Sequence, residues 1–472
     1  VLARPHVWTT PHAPTPYECA GLSAARVVPL LVGRPASVEE VQAVLRICHT
    51  ENVAVVARGA GTGLSGGALP HEDGILLSLA RLNRILSVEP DNCRAREQPG
   101  VRNLAISEAA RPHGLYYAPD PSSQIACSIG GNVAENAGGV HCLKYGLTVN
   151  NLLAVEMVTI EGERITLGGG GLDGPGYDLL ALATGSEGML GVVVEVTVKL
   201  LPIPQRAQVA LAAFDEVETA GRAVADIIAA GILPAGLEMM DNPSLRAAED
   251  FVHAGYPTDA AAILLCEVDG GNEEVSEDIA KVRQRLLESG AREVRTADDE
   301  AERARIWAGR KAAFPAVGRI SPDYYCMDGT IPRKHLPRVL REIADYSRES
   351  GLRVANVFHA GDGNLHPLIL YDANNPGELE LAEEVGGRIL ELCVEVGGTI
   401  TGEHGVGLEK INQMCEQFPP EELQMFHDVK AVFDAKGLLN PGKAIPTLNR
   451  CAEFGAMHVK AGDLRFPHLE RF

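Results

Sequence analysis

None of the ten cysteines has the C-x-x-C spacing of an iron–sulfur ligand run or a cysteine-type zinc site. They are scattered at 19, 48, 93, 127, 142, 266, 326, 393, 415 and 451, a pattern expected of reduced core thiols. The spacings therefore give no sign of a cysteine-held cluster in this chain. Long apolar runs are missing too: nothing approaches the ~20 residues of a membrane-spanning helix. Val1–Tyr17 carries three prolines in its second half and no apolar stretch, so it does not read as a signal peptide. Positive charge is scarce, with 42 Lys and Arg against 63 Asp and Glu and a net charge of −21. A phosphate backbone repels such a surface, which argues against a nucleic-acid partner. At roughly 100–200 residues per domain, 472 residues allow two to four domains.

What the chain has in quantity is glycine, 50 residues concentrated in the first half. Ser37-x-x-Glu40 is a capping box opening a helix with apolar Val38, Val41, Val44, Leu45 and Cys48. A β run, 53–57, then breaks into Arg58-Gly-Ala-Gly-Thr-Gly-Leu-Ser-Gly-Gly67. Glycine lets backbone N–H groups approach phosphate oxygens closely. The spacing fits neither the dinucleotide fingerprint nor the P-loop. Two further segments follow: Pro119-Asp-Pro-Ser-Ser-Gln-Ile-Ala-Cys-Ser-Ile-Gly-Gly-Asn132, running on to Asn136-Ala-Gly-Gly139, and Thr184-Gly-Ser-Glu-Gly-Met-Leu-Gly191. Past Pro202 and Pro204 the texture changes to longer strands alternating with amphipathic helices, which predicts an α+β unit with one mixed sheet. The expected boundaries are an N-terminal segment 1–27, a first domain 28–206, an α+β domain 207–376, a helical region 377–446 and a tail 447–472.

The run Asn356-Val-Phe-His359-Ala-Gly-Asp-Gly-Asn-Leu-His366-Pro-Leu carries candidate chemistry. Asp362-Gly363 between apolar runs is a preferred two-residue hairpin turn. Counted outward from that turn, His359 faces His366, with Cβ atoms ~4.5–5.5 Å apart, close enough to share a metal ion. A longer loop would change this register. Gly402-Glu403-His404-Gly405 offers an oxygen ligand in a pliable loop. Neighbours in extended chain point opposite ways, so Glu403 and His404 do different jobs unless the glycines twist the loop.

The three glycine segments, in this order, resemble the FAD-binding domain of the vanillyl-alcohol oxidase/PCMH flavoprotein family. The resemblance implies that Arg58, Gly59, Ala60, Gly61, Thr62 and Gly63 cradle the pyrophosphate. It places Pro119, Asp120, Ser122, Gly130, Gly131, Asn132, Asn136, Gly138, Gly185, Glu187 and Gly188 around the rest of FAD. With no His or Cys in Arg58–Gly67, the flavin is expected to be noncovalent. The His-x-Gly-Asp-Gly-Asn-x-His and Gly-Glu-His-Gly runs, with Asn440-Pro-Gly-Lys443, resemble the C-terminal domain of FAD-linked 2-hydroxy-acid dehydrogenases. By that resemblance His359, His366 and Glu403 bind a divalent metal, usually zinc. His404 is the base, Arg310 clamps the substrate carboxylate, and Asn440 belongs to a segment closing on the flavin. Pro16–Cys19, Trp307–Pro315, Ser321–Pro332 and Arg450–His458 narrow the likeness to bacterial FAD-linked glycolate-oxidising subunits.

The implied reaction is oxidation of glycolate to glyoxylate, or of D-lactate to pyruvate, by hydride transfer to flavin N5. Cys326 and Leu368 stand where relatives acting on dicarboxylates carry a Lys and an Asn, which favours short substrates. The resemblance further implies a second FAD-domain subunit and an iron–sulfur subunit, and a cytoplasmic chain held peripherally at the inner membrane through them. Phe454, Phe466 and Phe472 make the tail a candidate docking surface. Three other readings compete: a stand-alone D-lactate dehydrogenase, a noncatalytic FAD scaffold subunit, and a metal hydrolase. The metal and base motifs argue against the scaffold, and the glycine segments leave the hydrolase unexplained.

Overall fold

A computed structural model describes residues 2–447 apart from 4, 5, 10–13, 23, 172, 173, 175 and 298, so the candidate docking tail lies outside the described residues. Ser37 caps the helix Val38–Glu51, its Oγ accepting the Glu40 N–H at 3.2 Å while Glu40 Oε2 accepts the Ala36 N–H at 2.6 Å. Val41, Val44, Leu45 and Cys48 fall on one face of this helix and are buried. The face packs with Val55 and Leu77 of a four-stranded sheet, in which strands Leu31–Gly33, Ile75–Ser78 and Val55–Arg58 are parallel. A second sheet has five antiparallel strands. Its central strand Val192–Lys199 alternates buried with half-buried residues, as one covered face requires.

The third sheet has seven strands, in the order Glu293–Thr296, Arg206–Phe214, Ala262–Gly270, Gly236–Asp241, Val354–Phe358, Pro367–Tyr371, Asp323–Cys326. Every pairing in it is antiparallel, which corrects the expectation of a mixed sheet. The helix Val217–Ala229 does cross between strands running the same way, Arg206–Phe214 and Gly236–Asp241. Strand Ala262–Gly270 inserts between the two, so strand–helix alternation does not make them neighbours. Full burial of residues such as Phe214 and Phe358 contributes ~1.5–3 kcal/mol each.

The helices Glu378–Glu395 and Pro420–Phe433 follow, and the chain then returns to the first domain. Leu439 bridges Val55 in parallel, and Lys430 Nζ donates to Met189 O, Asp434 Oδ2 and Leu439 O. Cys415 is disulfide-bonded, against the expectation of reduced thiols; the other eight described cysteines are free. Among the described residues no helix is long and apolar enough to cross a membrane.

Candidate active site

The strand Val55–Arg58 ends at Gly59, where a β-carbon would lie 2.1 Å from Ser128 Oγ. The first and second glycine segments thus touch backbone to side chain, and Ser128 Oγ is buried without a partner. Together with Glu187 and Gly188 of the third segment they wall a cavity of about 510 Å³. That size lies within the ~300–1,000 Å³ range of cofactor and ligand pockets. The far wall is formed by Lys311, Phe314, His359, His366, Glu403 and His404.

The two histidines come from a hairpin whose register differs from the expected one. Strands Val354–Phe358 and Pro367–Tyr371 pair Asn356 with Pro367, and His359 bridges Asn364. The turn is therefore four residues, 360–363. Asp362 Oδ1 accepts the Asn364 N–H at 3.0 Å, and Gly363 takes φ +84°, a conformation L side chains rarely adopt. Relative to a two-residue turn the pairing slips by two, which preserves the face on which a side chain lies. His359 and His366 become diagonal neighbours, ring centroids 4.9 Å apart.

Glu403 Oε1 lies 3.0 Å from His366 Nε2 and 3.3 Å from His359 Nε2. Burial opposes charge on His359, but the Glu238 and Glu403 carboxylates outweigh it and hold its pKa well above the usual value. Burial likewise works against the Glu403 anion, yet His359 and His366 hold it well below the usual range. Behind this row Glu238 receives His359 Nδ1 at 2.9 Å and Arg310 Nε at 2.8 Å. A carboxylate on the outer nitrogen of a metal-ligating imidazole fixes its tautomer and orientation. A proton on His359 Nε2, facing Glu403, holds the place a divalent cation would take, so this donor set fits one.

His404 stacks on His366, centroids 4.9 Å apart and planes 6° from parallel. Its Nδ1 is buried with no partner. Burial, reinforced by His366 and Lys410, brings its pKa down to about 4, although Asp328 pulls the other way. Asp328 is fully buried beneath the loop. It accepts the His404 N–H at 2.9 Å, Thr401 Oγ1–H at 2.6 Å, Asn364 Nδ2 at 2.9 Å and Lys410 Nζ at 3.1 Å. Asp328, His366, Glu403 and His404 offer ligand atoms within 4.8 Å of one another, as do Cys326, His366 and His404. The Asp328 oxygens already serve these donors, which leaves Glu403 as the available carboxylate.

Of the residues expected around FAD, Arg58–Gly63, Ser122, Gly130–Asn132, Glu187 and Gly188 line the cavity. The Arg58 guanidinium turns away, donating to Cys19 O at 2.6 Å. Six others stand behind the wall. Pro119 O accepts Asn103 Nδ2, Asp120 bonds His141, and Asn136 Oδ1 accepts the Val149 N–H. Gly185 N donates to Val133 O, and a β-carbon on Gly138 would meet Glu403 Oε2 at 2.5 Å. Asn440 Nδ2 donates to Gly67 O and Glu187 O. Arg310 is also behind the wall, 1% exposed, with Nη1 uncommitted beside Glu238. Lys311 reaches the cavity instead. Sequence reasoning missed Glu238 and Asp328; an acid in the interior of the otherwise apolar run 237–240 was the available signal for the former.

A glycine-walled cavity ending on buried imidazoles, in a PCMH-type fold, defines a flavin-dependent oxidoreductase. The chain belongs to the FAD-linked oxidase family: residues 29–168 match the model of an FAD binding domain, and residues 203–444 that of the FAD linked oxidases' C-terminal domain. It is 70% identical over 457 residues to glycolate oxidase subunit GlcD of Escherichia coli (strain K12), covering 97% of this chain and 92% of that protein. Identity to GlcD of Bacillus subtilis (strain 168) is 40% over 417 residues, 88% of this chain and 89% of that one. Identity to a D-lactate dehydrogenase of Anaerostipes hadrus is 34% over 418 residues, 86% and 87% of the two chains. Among solved structures, p-cresol methylhydroxylase with substrate bound shares the fold, with a TM-score of 0.81 at 16% identity over 95% of both chains.

Proposed function

We propose that the chain oxidises short 2-hydroxy acids, glycolate to glyoxylate and also D-lactate to pyruvate, using noncovalently bound FAD. The observation carrying this reading is a neutral, unpartnered His404 imidazole facing the end of the glycine-walled cavity beside the His359–His366–Glu403 set. The names of the relatives agree with it. Residues 28–206 hold the cofactor, 207–376 carry substrate-side groups, and 377–446 bring Glu403 and His404 and close on the flavin. Arg58–Gly63, Ser122, Gly130–Asn132, Glu187 and Gly188 face FAD, while Pro119, Asp120, Asn136, Gly138, Gly185 and Asn440 shape those walls.

FAD supplies the two-electron acceptor for the hydride that leaves the substrate Cα. A divalent cation held by His359, His366 and Glu403, with zinc the best match to two imidazoles and a carboxylate, supplies Lewis acidity toward the substrate hydroxyl. His404 takes the hydroxyl proton. Arg310 would clamp the substrate carboxylate through its uncommitted Nη1 once the guanidinium, held by Glu238 behind the wall, turns toward the cavity that Lys311 already lines. Cys326 pairs with Leu368 across adjacent strands, both buried, and neither donates to a second carboxylate. FAD bound here would supply electrons to an iron–sulfur subunit, in a complex that also holds a second FAD-domain subunit. These partners hold the chain at the cytoplasmic face of the inner membrane.

Anaerobic mixing with a substrate panel tests the reading. Glycolate and D-lactate should bleach the flavin far faster than a 2-hydroxy dicarboxylate, and the isolated chain should reduce a dye faster than oxygen. Preferential bleaching by the dicarboxylate would overturn the pocket assignment. D-lactate as the sole good substrate, with no partner bound on coexpression, would make this a stand-alone D-lactate dehydrogenase, as the 34%-identical relative suggests. His359→Ala should remove the metal, read by elemental analysis, and retain FAD, because the glycine segments proposed to hold FAD belong to other parts of the chain than the hairpin carrying His359.

A further inference from the structure

Glu135 ends the helix Ile129–Glu135 and lines the cavity, but its Oε2 is buried with no hydrogen-bond partner. Its carboxyl neighbours that of Glu187 across Gly405 and Gly67. A β-carbon built on Gly405 would lie 2.2 Å from Glu135 Oε2 and 3.0 Å from Glu187 Oε1. One built on Gly67 would lie 2.7 Å from Glu135 Oε1 and 3.6 Å from Glu187 Oε2. Two carboxyls this near in a water-poor site oppose each other's ionisation, so one of them is held protonated. The donors decide which one. Glu187 receives the Val406 and Gly407 N–H groups, each at 2.7 Å, and these favour its anion.

Glu135 has no such support. The cations that face it are engaged elsewhere: Lys443 Nζ donates to Gly67 O, Leu69 O and Asn440 Oδ1, and Lys410 Nζ to Asp328 Oδ2 and Gly405 O. Asp328 and Glu187 add negative charge nearby, and burial, the largest influence, pushes the Glu135 carboxyl well above the usual range.

We propose that Glu135 is a cofactor-binding residue, a neutral carboxylic acid whose O–H donates a hydrogen bond into the cavity to an acceptor atom of FAD. This rests on the cavity being the FAD site. The neutral acid also matters to redox chemistry, because hydride uptake adds negative charge that a donor favours and an ionised carboxylate opposes. Glu135 ionisation therefore weakens the binding of FAD.

The test uses the full-length chain stripped of FAD and titrated with FAD across a pH series. In the wild type, Kd should rise by up to about tenfold per pH unit between the pKa values that Glu135 has in the free and bound states. Glu135→Gln keeps a donor but cannot ionise, so it should flatten that rise. What remains in the variant belongs to Lys443, whose pKa burial brings down to about 7. The same slope in wild type and variant overturns the proposal. If the variant does not fold, the infrared difference spectrum between oxidised and dithionite-reduced wild-type holoenzyme decides. A protonated-carboxyl C=O band that shifts on reduction supports the proposal, and no such band overturns it. Neither measurement uses a hydroxy acid, so a wrong substrate assignment leaves both results intact.

Discussion

His404→Asn should slow anaerobic flavin reduction by glycolate by about 10²–10⁴-fold, the span typical of losing a positioned acid–base group. FAD and metal content should be unchanged. The His404 backbone N–H is held by Asp328 and its ring by stacking on His366, so the imidazole is fixed in place before substrate arrives. Glu403 Oε1 is 3.8 Å from His404 Nε2, too far for a hydrogen bond that would hold it protonated. Asn keeps a short polar side chain on the same backbone and cannot accept the proton. The pH profile follows from the same environment. With its pKa brought down to about 4, His404 is unprotonated through the neutral range. Wild-type reduction should therefore hold steady as pH falls through ~6.5, the ordinary imidazole value, and decline only near 4. Stopped-flow flavin bleaching measures both effects. A variant that reduces its flavin at nearly the wild-type rate would remove His404 from the mechanism.

The features legible in the sequence were those set by local chemistry. Ser37 and Glu40 mark a helix start because a capped N-terminus needs only three or four consecutive residues. The same holds for the glycine run after Arg58, where backbone approach excludes side chains. Side-chain face survived even where register failed. His359 and His366 were placed together through the wrong turn, because a slip of two leaves the face unchanged. Properties set by distant segments were not legible. The sheet order depends on where Ala262–Gly270 inserts, and no neighbour in sequence signals that. Nothing near Arg310 in sequence signals that Glu238, 72 residues away, occupies one side of its guanidinium. Asp328 lies within the run Ser321–Pro332, yet its value comes from the donors it collects from residues 364, 401, 404 and 410.

Asp328→Ala should cost about 3–5 kcal/mol of stability, the range for removing one partner of a buried ion pair. Lys410 is fully buried, and among the described residues its ammonium would keep Glu409, at 3.5 Å, as its ion-pair partner. Glu409 lies farther from Lys410 Nζ than the 3.1 Å of Asp328 and its buried carboxyl resists ionisation, so it replaces Asp328 only in part. The N–H groups of Gly402, Glu403 and His404 would also lose their common acceptor. That acceptor sets the loop that aims Glu403 and His404, so flavin reduction should fall with stability; FAD content should be measured alongside, because Val406 and Gly407 of the same loop donate to Glu187. The pH dependence gives a separate signature. Burial raises the Asp328 pKa, but the neighbouring His404, Lys410 and His366 outweigh it and hold the carboxyl well below its unfolded value. Its stabilisation is then fully present above pH ~4 and is lost as pH falls toward the folded pKa. Thermal unfolding of both proteins from pH 7 down to 4 and below checks this. The gap between wild type and variant should be widest at neutral pH and narrow on acidification. A gap that stays constant with pH would mean that Asp328 contributes shape and not charge.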